Sequence, residues 1–180
     1  LCILLILDCP TCTSNPMAYV SNDTISLTKQ SHIVDNRDSP FRGTHRYASI
    51  RSHFKYEQSR RDDLEALGYV LIYFIKGGLP WQSLKVTKTK RRKEIGKFKE
   101  SVKVASLIDG LPSEFGIYIE EVKALAFHER PDYDALRNIF RKCFERYKFE
   151  ADGVYDWTKP TQMARSRSEP LPTMLPPSAK

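Results

Sequence analysis

The sequence lacks an apolar run long enough to cross a bilayer. Its N-terminal aliphatic stretch covers residues 1–7 and has no basic flank, whereas a membrane-spanning helix needs about 20 apolar residues. Cysteine is also scarce, with four cysteines at irregular spacings in 180 residues. This pattern argues against a disulfide scaffold and favours a reducing compartment. We therefore expect a cytoplasmic or nuclear protein without a membrane span.

The sequence also has little that resembles a metal site. Cys9 and Cys12 have the spacing of a redox or metal-binding pair, but no second pair and no histidine cluster follows at a suitable interval. Two inert thiols are therefore the favoured interpretation. We predict no metal site and no cofactor bound by this chain.

Acidic residues are fewer than basic ones. The chain has 29 Lys and Arg against 22 Asp and Glu, a formal net charge of +7. Much of the excess lies in residues 85–99, which form a solvated face, an anion-binding patch or a nuclear import signal. Acidic or phosphorylated protein segments are the expected partners. Nucleic acid is disfavoured because only Phe98 supplies an aromatic side chain for stacking, and the sequence gives no indication of oligomeric state.

One strong helix signal lies in the middle of the chain, from Ser59 to Pro80. Ser59 is a candidate N-cap, and acidic residues follow it in the first turn, where they complement the helix dipole. Gly77 and Gly78 favour termination, and Pro80 forbids continuation. The apolar residues between these signals point in nearly every direction around the axis, which predicts a buried central helix around which other elements pack.

Helices are also predicted on the C-terminal side of the basic run. A short one is expected near residues 102–108, and two longer ones show apolar stripes at steps of three and four. The stripe of the first comprises Leu111, Phe115, Tyr118, Ile119, Val122, Leu125 and Ala126. The stripe of the second comprises Tyr133, Leu136, Ile139, Phe140, Cys143, Phe144 and Tyr147. The fold class is therefore predicted to be mainly α.

The two ends of the chain differ in composition from its centre. Residues 1–36 combine the short aliphatic stretch with a polar segment that has no helical or strand period, so we expect partial disorder. The first residue is Leu1 and not Met, which suggests a fragment or a processed product. Residues 158–180 contain five prolines with Ser and Arg, the composition of a disordered tail.

The segment Gly43–Ile50, GTHRYASI, is a candidate functional loop, and we call it the docking loop. It places an arginine and an aromatic residue directly before the central helix. Loops held by a rigid scaffold commonly carry function.

Three segments together resemble the C-terminal lobe of casein kinase 1 family Ser/Thr protein kinases. They are GTHRYASI at 43–50, EQSRRDDLEALGYVLIYF with GGLPWQSLK at 57–85, and RPDYDALRNIFRKCF at 130–144. The resemblance covers residues 37–157 and implies the large lobe of the protein-kinase fold without its N-terminal β lobe. In that family the central helix carries the catalytic and substrate-binding segments, and the parent enzyme transfers the ATP γ-phosphate to Ser or Thr of acidic or pre-phosphorylated proteins.

The resemblance also assigns roles to individual residues. Asp63 matches the aspartate that anchors the catalytic loop. Thr44 matches a threonine that contacts the catalytic base, and Arg46 matches the basic residue that recognises a phosphate or acidic residue near the target hydroxyl. A guanidinium suits that role because its planar fork matches phosphate oxygens. Basic residues after the Trp-Gln-Ser-Leu segment complete this phosphate site in the family, and the candidates here are Lys90, Arg91, Arg92 and Lys93.

The chain differs from the family in lacking its catalytic motifs. Phosphoryl transfer uses a Gly-rich loop, a His-Arg-Asp loop and an Asp-Phe-Gly motif that binds magnesium, and none of these occurs in the sequence. Asp8 ends an apolar stretch as the family's metal-binding aspartate does, but Cys9 and Pro10 replace Phe-Gly. We therefore expect no catalytic residues. ATP and magnesium would belong to the parent family, and the alternative function is a non-catalytic module that binds acidic or phosphorylated segments.

Overall fold

The computed structural model of the protein describes residues 34–150. Within this range all regular secondary structure is helical, so the mainly α prediction is confirmed. The helices are α1 (Ile50–His53), α2 (Arg60–Lys76), a 3₁₀ helix (Pro80–Ser83), α3 (Lys88–Ser101), α4 (Val104–Leu107), α5 (Ser113–Ala124) and α6 (Tyr133–Arg146). None of the helices in the described range has the length and apolar character that a membrane crossing needs.

The central helix α2 begins and ends where the sequence predicts. Ser59 is its N-cap residue, and the Ser59 amide donates a hydrogen bond of 2.9 Å to the Asp62 carboxylate. At the other end Gly77 has a left-handed conformation, with φ of 72°. Such a backbone is strained for other residues, so this glycine is the helix stop.

Burial of α2 is extensive but does not reach its last turn. Leu71 and Ile72 are almost completely enclosed, whereas Phe74 is 67% exposed and Ile75 44% exposed. The expectation that the apolar residues are covered on every side is therefore wrong for the C-terminal turn. The pattern of apolar residues shows which faces of a helix are apolar, but it does not show whether a neighbouring element covers each of them.

The core lies where α2, α5 and α6 meet. Helix α5 packs against α2 on one side and against α4 and α6 on others. The Tyr118 hydroxyl donates 3.0 Å to the Leu64 carbonyl, which ties α5 to α2. Both C-terminal stripes contribute buried residues, namely Phe115, Tyr118, Ile119 and Val122 from α5 and Leu136 and Phe140 from α6.

Helix α3 is the element that the sequence did not predict. It covers most of the basic run and packs against α1. The first 33 and last 30 residues lie outside the described range, so the expectations of disorder at both ends, and those for Asp8, Cys9 and Cys12, have no structural counterpart here.

Candidate functional site

The docking loop is held in place from two sides by hydrogen bonds to its backbone. The Trp81 indole nitrogen donates 2.7 Å to the Arg46 carbonyl, and the Lys99 ammonium donates 2.6 Å to the Ala48 carbonyl. Trp81 belongs to the 3₁₀ helix and Lys99 to α3, so separate elements fix neighbouring points of the loop. A loop fixed in this way can present side chains in a defined geometry.

Polar side chains of α2 hold the end of the same loop. The Ser49 hydroxyl donates 2.6 Å to the Asp62 carboxylate. One residue later, the Ile50 amide donates 3.0 Å to the Glu65 carboxylate. Ser49 also caps α1 by accepting a hydrogen bond from the Ser52 amide. The docking loop therefore leads into α1 beside two buried polar side chains of the central helix. We call this pair, Asp62 and Glu65, the polar seam.

Arg46 is exposed, and aromatic rings support it. Its guanidinium carbon lies 5.7 Å from the centre of the Tyr47 ring and 5.1 Å from that of Tyr73. Cation–π contacts of this kind orient a guanidinium, and its five N–H donors exceed the number that the hydrogen bond to Tyr47 uses. The Arg46 side chain is therefore positioned and still able to bind an anion.

A pocket of about 190 Å³ lies beside Arg46. Arg91 from α3 lines it as well, so two arginines from distant parts of the sequence line one pocket. We call it the Arg46–Arg91 pocket, and its lining residues are His45, Arg46, Trp81, Gln82, Arg91 and Ile95. None of these lining residues from the described part of the chain is a carboxylate, so their charge is positive and suited to an anion.

The predicted site residues separate into two groups. Arg46 and Arg91 line the pocket, whereas Thr44 and Lys90 are exposed side chains outside its lining. The backbone carbonyl of Thr44 instead accepts hydrogen bonds from the Tyr47 and Ala48 amides, which gives it a role in loop shape. Of the lysine and arginine candidates in the basic run, Arg91 is the one that the fold brings to Arg46.

Arg92 lies on a different side of α3 from Arg91. It is partly buried, and its Nη1 atom is enclosed without a hydrogen-bond partner among the described residues. Its backbone carbonyl accepts a hydrogen bond of 2.9 Å from Nδ1 of His53. Arg92 therefore adds positive charge behind the pocket without lining it.

Histidines that the sequence reasoning did not select form the inner wall. His45 stacks on Phe41 with ring centres 4.5 Å apart, and its centre is 5.8 Å from that of His53. Burial first, and then the charge of Lys99, lowers the pKa of His53 to about 4. Burial and the charges of Arg91, Lys99 and Arg92 also lower the pKa of His45. His45 was visible inside the docking loop, but no spacing rule marked it.

Lys99 is a buried lysine at the site. It is 1% exposed, and its ammonium lies 4.9 Å from the centre of the Tyr69 ring and 4.8 Å from that of Trp81. Burial lowers its pKa to about 7. Since the ammonium holds the Ala48 carbonyl, Lys99 supports the docking loop from beneath.

Asp63 lies on α2 away from the polar seam. It is partly buried, and no residue in the range 34–150 forms a hydrogen bond with its carboxylate. Burial, helped by the charge of Asp62, raises the pKa of Asp63 to about 7. An unpaired carboxylate is what the resemblance implies for an anchor residue without a catalytic loop, and the anchor role itself stays a prediction.

Among the described residues no cluster of three or more potential metal ligands occurs. No known family model matches the chain. The function therefore has to be argued from the pocket itself.

Proposed function

We propose that this chain is a large-lobe fragment related to casein kinase 1-like Ser/Thr kinases, and that it binds acidic or phosphorylated protein segments in the Arg46–Arg91 pocket. The observation that carries the proposal is the convergence of two arginines from different elements on a pocket without a carboxylate. A phosphate group carries nearly two negative charges at neutral pH and accepts several hydrogen bonds. Guanidinium forks are the side chains best suited to it.

The rigid loop around Arg46 supports this function. A binding group that is already oriented loses less conformational entropy when a ligand binds. The Trp81 and Lys99 hydrogen bonds to the docking loop provide that order, and the Tyr47 and Tyr73 rings orient the guanidinium. The pocket is therefore more than a diffuse basic surface.

The binding test measures the affinity of the full chain for a phosphoserine peptide by calorimetry. We expect Arg46→Ala and Arg91→Ala each to weaken binding by roughly 10- to 100-fold, because each removes charge-assisted hydrogen bonds. Arg141→Ala, on α6 and outside the pocket, serves as the matched control and should bind as the wild type does. Equal affinity of all four proteins would contradict the proposal.

A second arm separates recognition of phosphate from general charge attraction. The unphosphorylated peptide should bind at least about 10-fold more weakly than the phosphopeptide. A single-stranded oligonucleotide should bind weakly and lose affinity steeply as salt is added. If the oligonucleotide bound as tightly as the phosphopeptide and ignored the Arg46 substitution, a general basic surface would be the better explanation.

We further propose that the chain does not transfer phosphate. Stabilisation of the transferring phosphoryl group is most of kinase catalysis, and the sequence contains none of the motifs that provide it. Incubation with radiolabelled ATP, magnesium and an acidic peptide should leave the peptide unlabelled. Incorporation of label that depends on this chain would overturn this part of the proposal.

A further inference from the structure

The inner wall of the Arg46–Arg91 pocket contains a titratable group that the binding proposal has not used. His45 lines the pocket next to both arginines. Its Nδ1 atom is sealed from solvent and has no hydrogen-bond partner among residues 34–150. The edge of the ring that carries Nε2 is therefore the part available to a ligand, and an imidazole N–H at that edge can donate to an anion.

The ring of His45 is fixed in place. Phe41 stacks on it with an angle of 24° between the ring planes, and His53 lies nearly parallel to it at 25°. His53 is itself buried and held through Nδ1 by the Arg92 carbonyl. His45 therefore faces the pocket in a set orientation, as the two arginines do.

Among residues 34–150, the charges that act on His45 or line the pocket beside it are basic. Helix α3 contributes Arg91, Arg92 and Lys99, α1 contributes His53, and the docking loop contributes Arg46. The 3₁₀ helix adds only the uncharged Trp81 and Gln82 to the pocket. With the pocket empty, this surrounding charge and the burial of the ring oppose protonation, which lowers the pKa of His45.

We propose that His45 is a third anion-binding group of the pocket, and that its ring takes up a proton from solvent when a phosphorylated segment binds between Arg46 and Arg91. A dianion placed there offsets the repulsion from Arg91, so the charged ring becomes favourable. The inference rests on the binding function proposed above. It adds that the pocket favours a dianionic phosphate over a single carboxylate, and that binding tightens as the pH falls.

Proton linkage determines the direction in which affinity changes with pH. If the pKa of His45 is higher in the complex than in the free protein, affinity rises as the pH falls through the bound pKa and levels off below the free pKa. Phosphate itself gains a proton near pH 6, which would oppose this trend. An O-sulfoserine peptide removes that complication because a sulfate ester has a single negative charge that does not change across this range, so its effect on His45 should have the same sign as that of phosphate but be smaller.

The experiment follows the ring carbon signals of the full chain by NMR as a function of pH, with and without the phosphoserine peptide. We expect the pKa of His45 to rise on binding, while the signals of His128, which lies outside the pocket lining, do not respond to the peptide and serve as an internal control. With the sulfoserine peptide, which has no proton of its own to release, calorimetry in two buffers of different ionisation heat should show net proton uptake. With the sulfoserine peptide, affinity should increase several-fold between about pH 8 and pH 6.

Two variants distinguish a charge effect from a structural one. His45→Gln keeps a polar side chain that cannot titrate, so it should bind more weakly and lose the pH dependence. His45→Arg supplies a charge that stays ionised even in basic surroundings, and it should bind tightly without the pH dependence that His45 contributes. If the peptide binds but the pKa of His45 does not change and His45→Gln binds as the wild type does, the inference is wrong and the binding function stands. If no peptide binds, both are wrong.

Discussion

At the residue scale, two neighbouring aspartates of α2 have opposite environments. Asp62 is fully buried and accepts hydrogen bonds from the Ser49 hydroxyl and the Ser59 amide. Asp63 is partly buried and has no such partner within the described residues. The same chemical group is therefore stabilising at one position and costly at the next, because burial without hydrogen bonds disfavours a carboxylate.

The contrast predicts opposite effects of removing each charge. The pKa of Asp63 is raised to about 7 in the folded chain, above its unfolded value. The folded state then holds the proton more tightly, so stability falls as the pH rises from about 4 through 7. Asp63→Asn should raise the free energy of unfolding at pH 8 by on the order of 2 kcal/mol and have little effect near pH 4, as measured by denaturant titration.

Asp62→Asn is the matched control. It weakens two buried hydrogen bonds and removes a negative charge from the helix start, so it should destabilise the fold by about 1–3 kcal/mol at neutral pH. If Asp63→Asn destabilised the chain as much as Asp62→Asn at pH 8, Asp63 would have a partner and our description of its environment would be wrong.

Lys99 shows what sequence reasoning misses at this scale. The basic run reads as a solvated face, since lysine is rarely buried. The fold nevertheless buries Lys99, because its ammonium makes cation–π contacts with two aromatic rings and donates a hydrogen bond to a backbone carbonyl. These partners come from Tyr69, Trp81 and Ala48, which lie 18 to 51 residues away and are invisible to a local pattern.

At the element scale, the site depends on how closely α3 approaches α1. Gly96 makes that approach possible, since a Cβ atom added there would lie 2.7 Å from the Cβ of His53. Such a contact is too short for ordinary packing, so a larger residue has to push the helices apart. Helix α3 carries Arg91 and Lys99, so its displacement would widen the pocket and release the docking loop.

Gly96→Ala should therefore weaken phosphopeptide binding by roughly 10-fold, comparable to the loss of a charged hydrogen bond. It should also lower the free energy of unfolding by up to about 2 kcal/mol, because an overpacking cost of about 1–3 kcal/mol exceeds a gain of about 1 kcal/mol in helix propensity, and the Cβ of His53 moves only with its backbone. Calorimetry and thermal unfolding of the same sample measure the two quantities.

Gly116→Ala provides the control for this element. The added Cβ would lie 2.7 Å from Cδ1 of Ile108, away from the pocket, and this side-chain end can shift more easily than the Cβ of His53. Gly116→Ala should therefore change stability less than Gly96→Ala and leave affinity unchanged. Equal loss of affinity in both glycine variants would show that general destabilisation, and not the position of α3, controls binding.

The helices with strong local signals were predictable, and α3 was not. Helix α2 has a capping residue, an acidic first turn and a glycine stop, and α5 and α6 have apolar stripes. Helix α3 has few apolar residues and packs through Gly96 and the stem of Lys99 as well as Ile95. A helix face of this kind does not give a periodic apolar pattern in the sequence. Helix α3 is therefore visible only in the fold.

At the scale of the whole molecule, the positive charge is concentrated by the fold. The sequence gives a net charge of +7 and a basic run, but composition does not show which side chains converge. Arg46 and Arg91 are 45 positions apart and meet through the packing of α3 beside the docking loop. The resemblance singled out Arg46 and offered Arg91 among several candidates, and the fold selects between them.

The whole chain also leaves apolar surface at the end of α2. Phe74 and Ile75 remain exposed beside the partly covered Tyr73. The relationship to the large lobe of a kinase stays a proposal, and so does the loss of phosphoryl transfer. The argument for anion binding does not depend on either, because it uses Arg46 and Arg91, which both line the pocket.

The most direct test of the account is an NMR titration of the arginine side-chain Nε–H signals of the full chain with a phosphoserine peptide. We predict saturable shifts at Arg46 and Arg91 with one common affinity, and no comparable shifts at Arg137 and Arg141 of α6. Absence of saturable shifts at Arg46 and Arg91, or equal shifts at all four arginines, would contradict the claim that the two converging arginines form a specific phosphate-binding pocket.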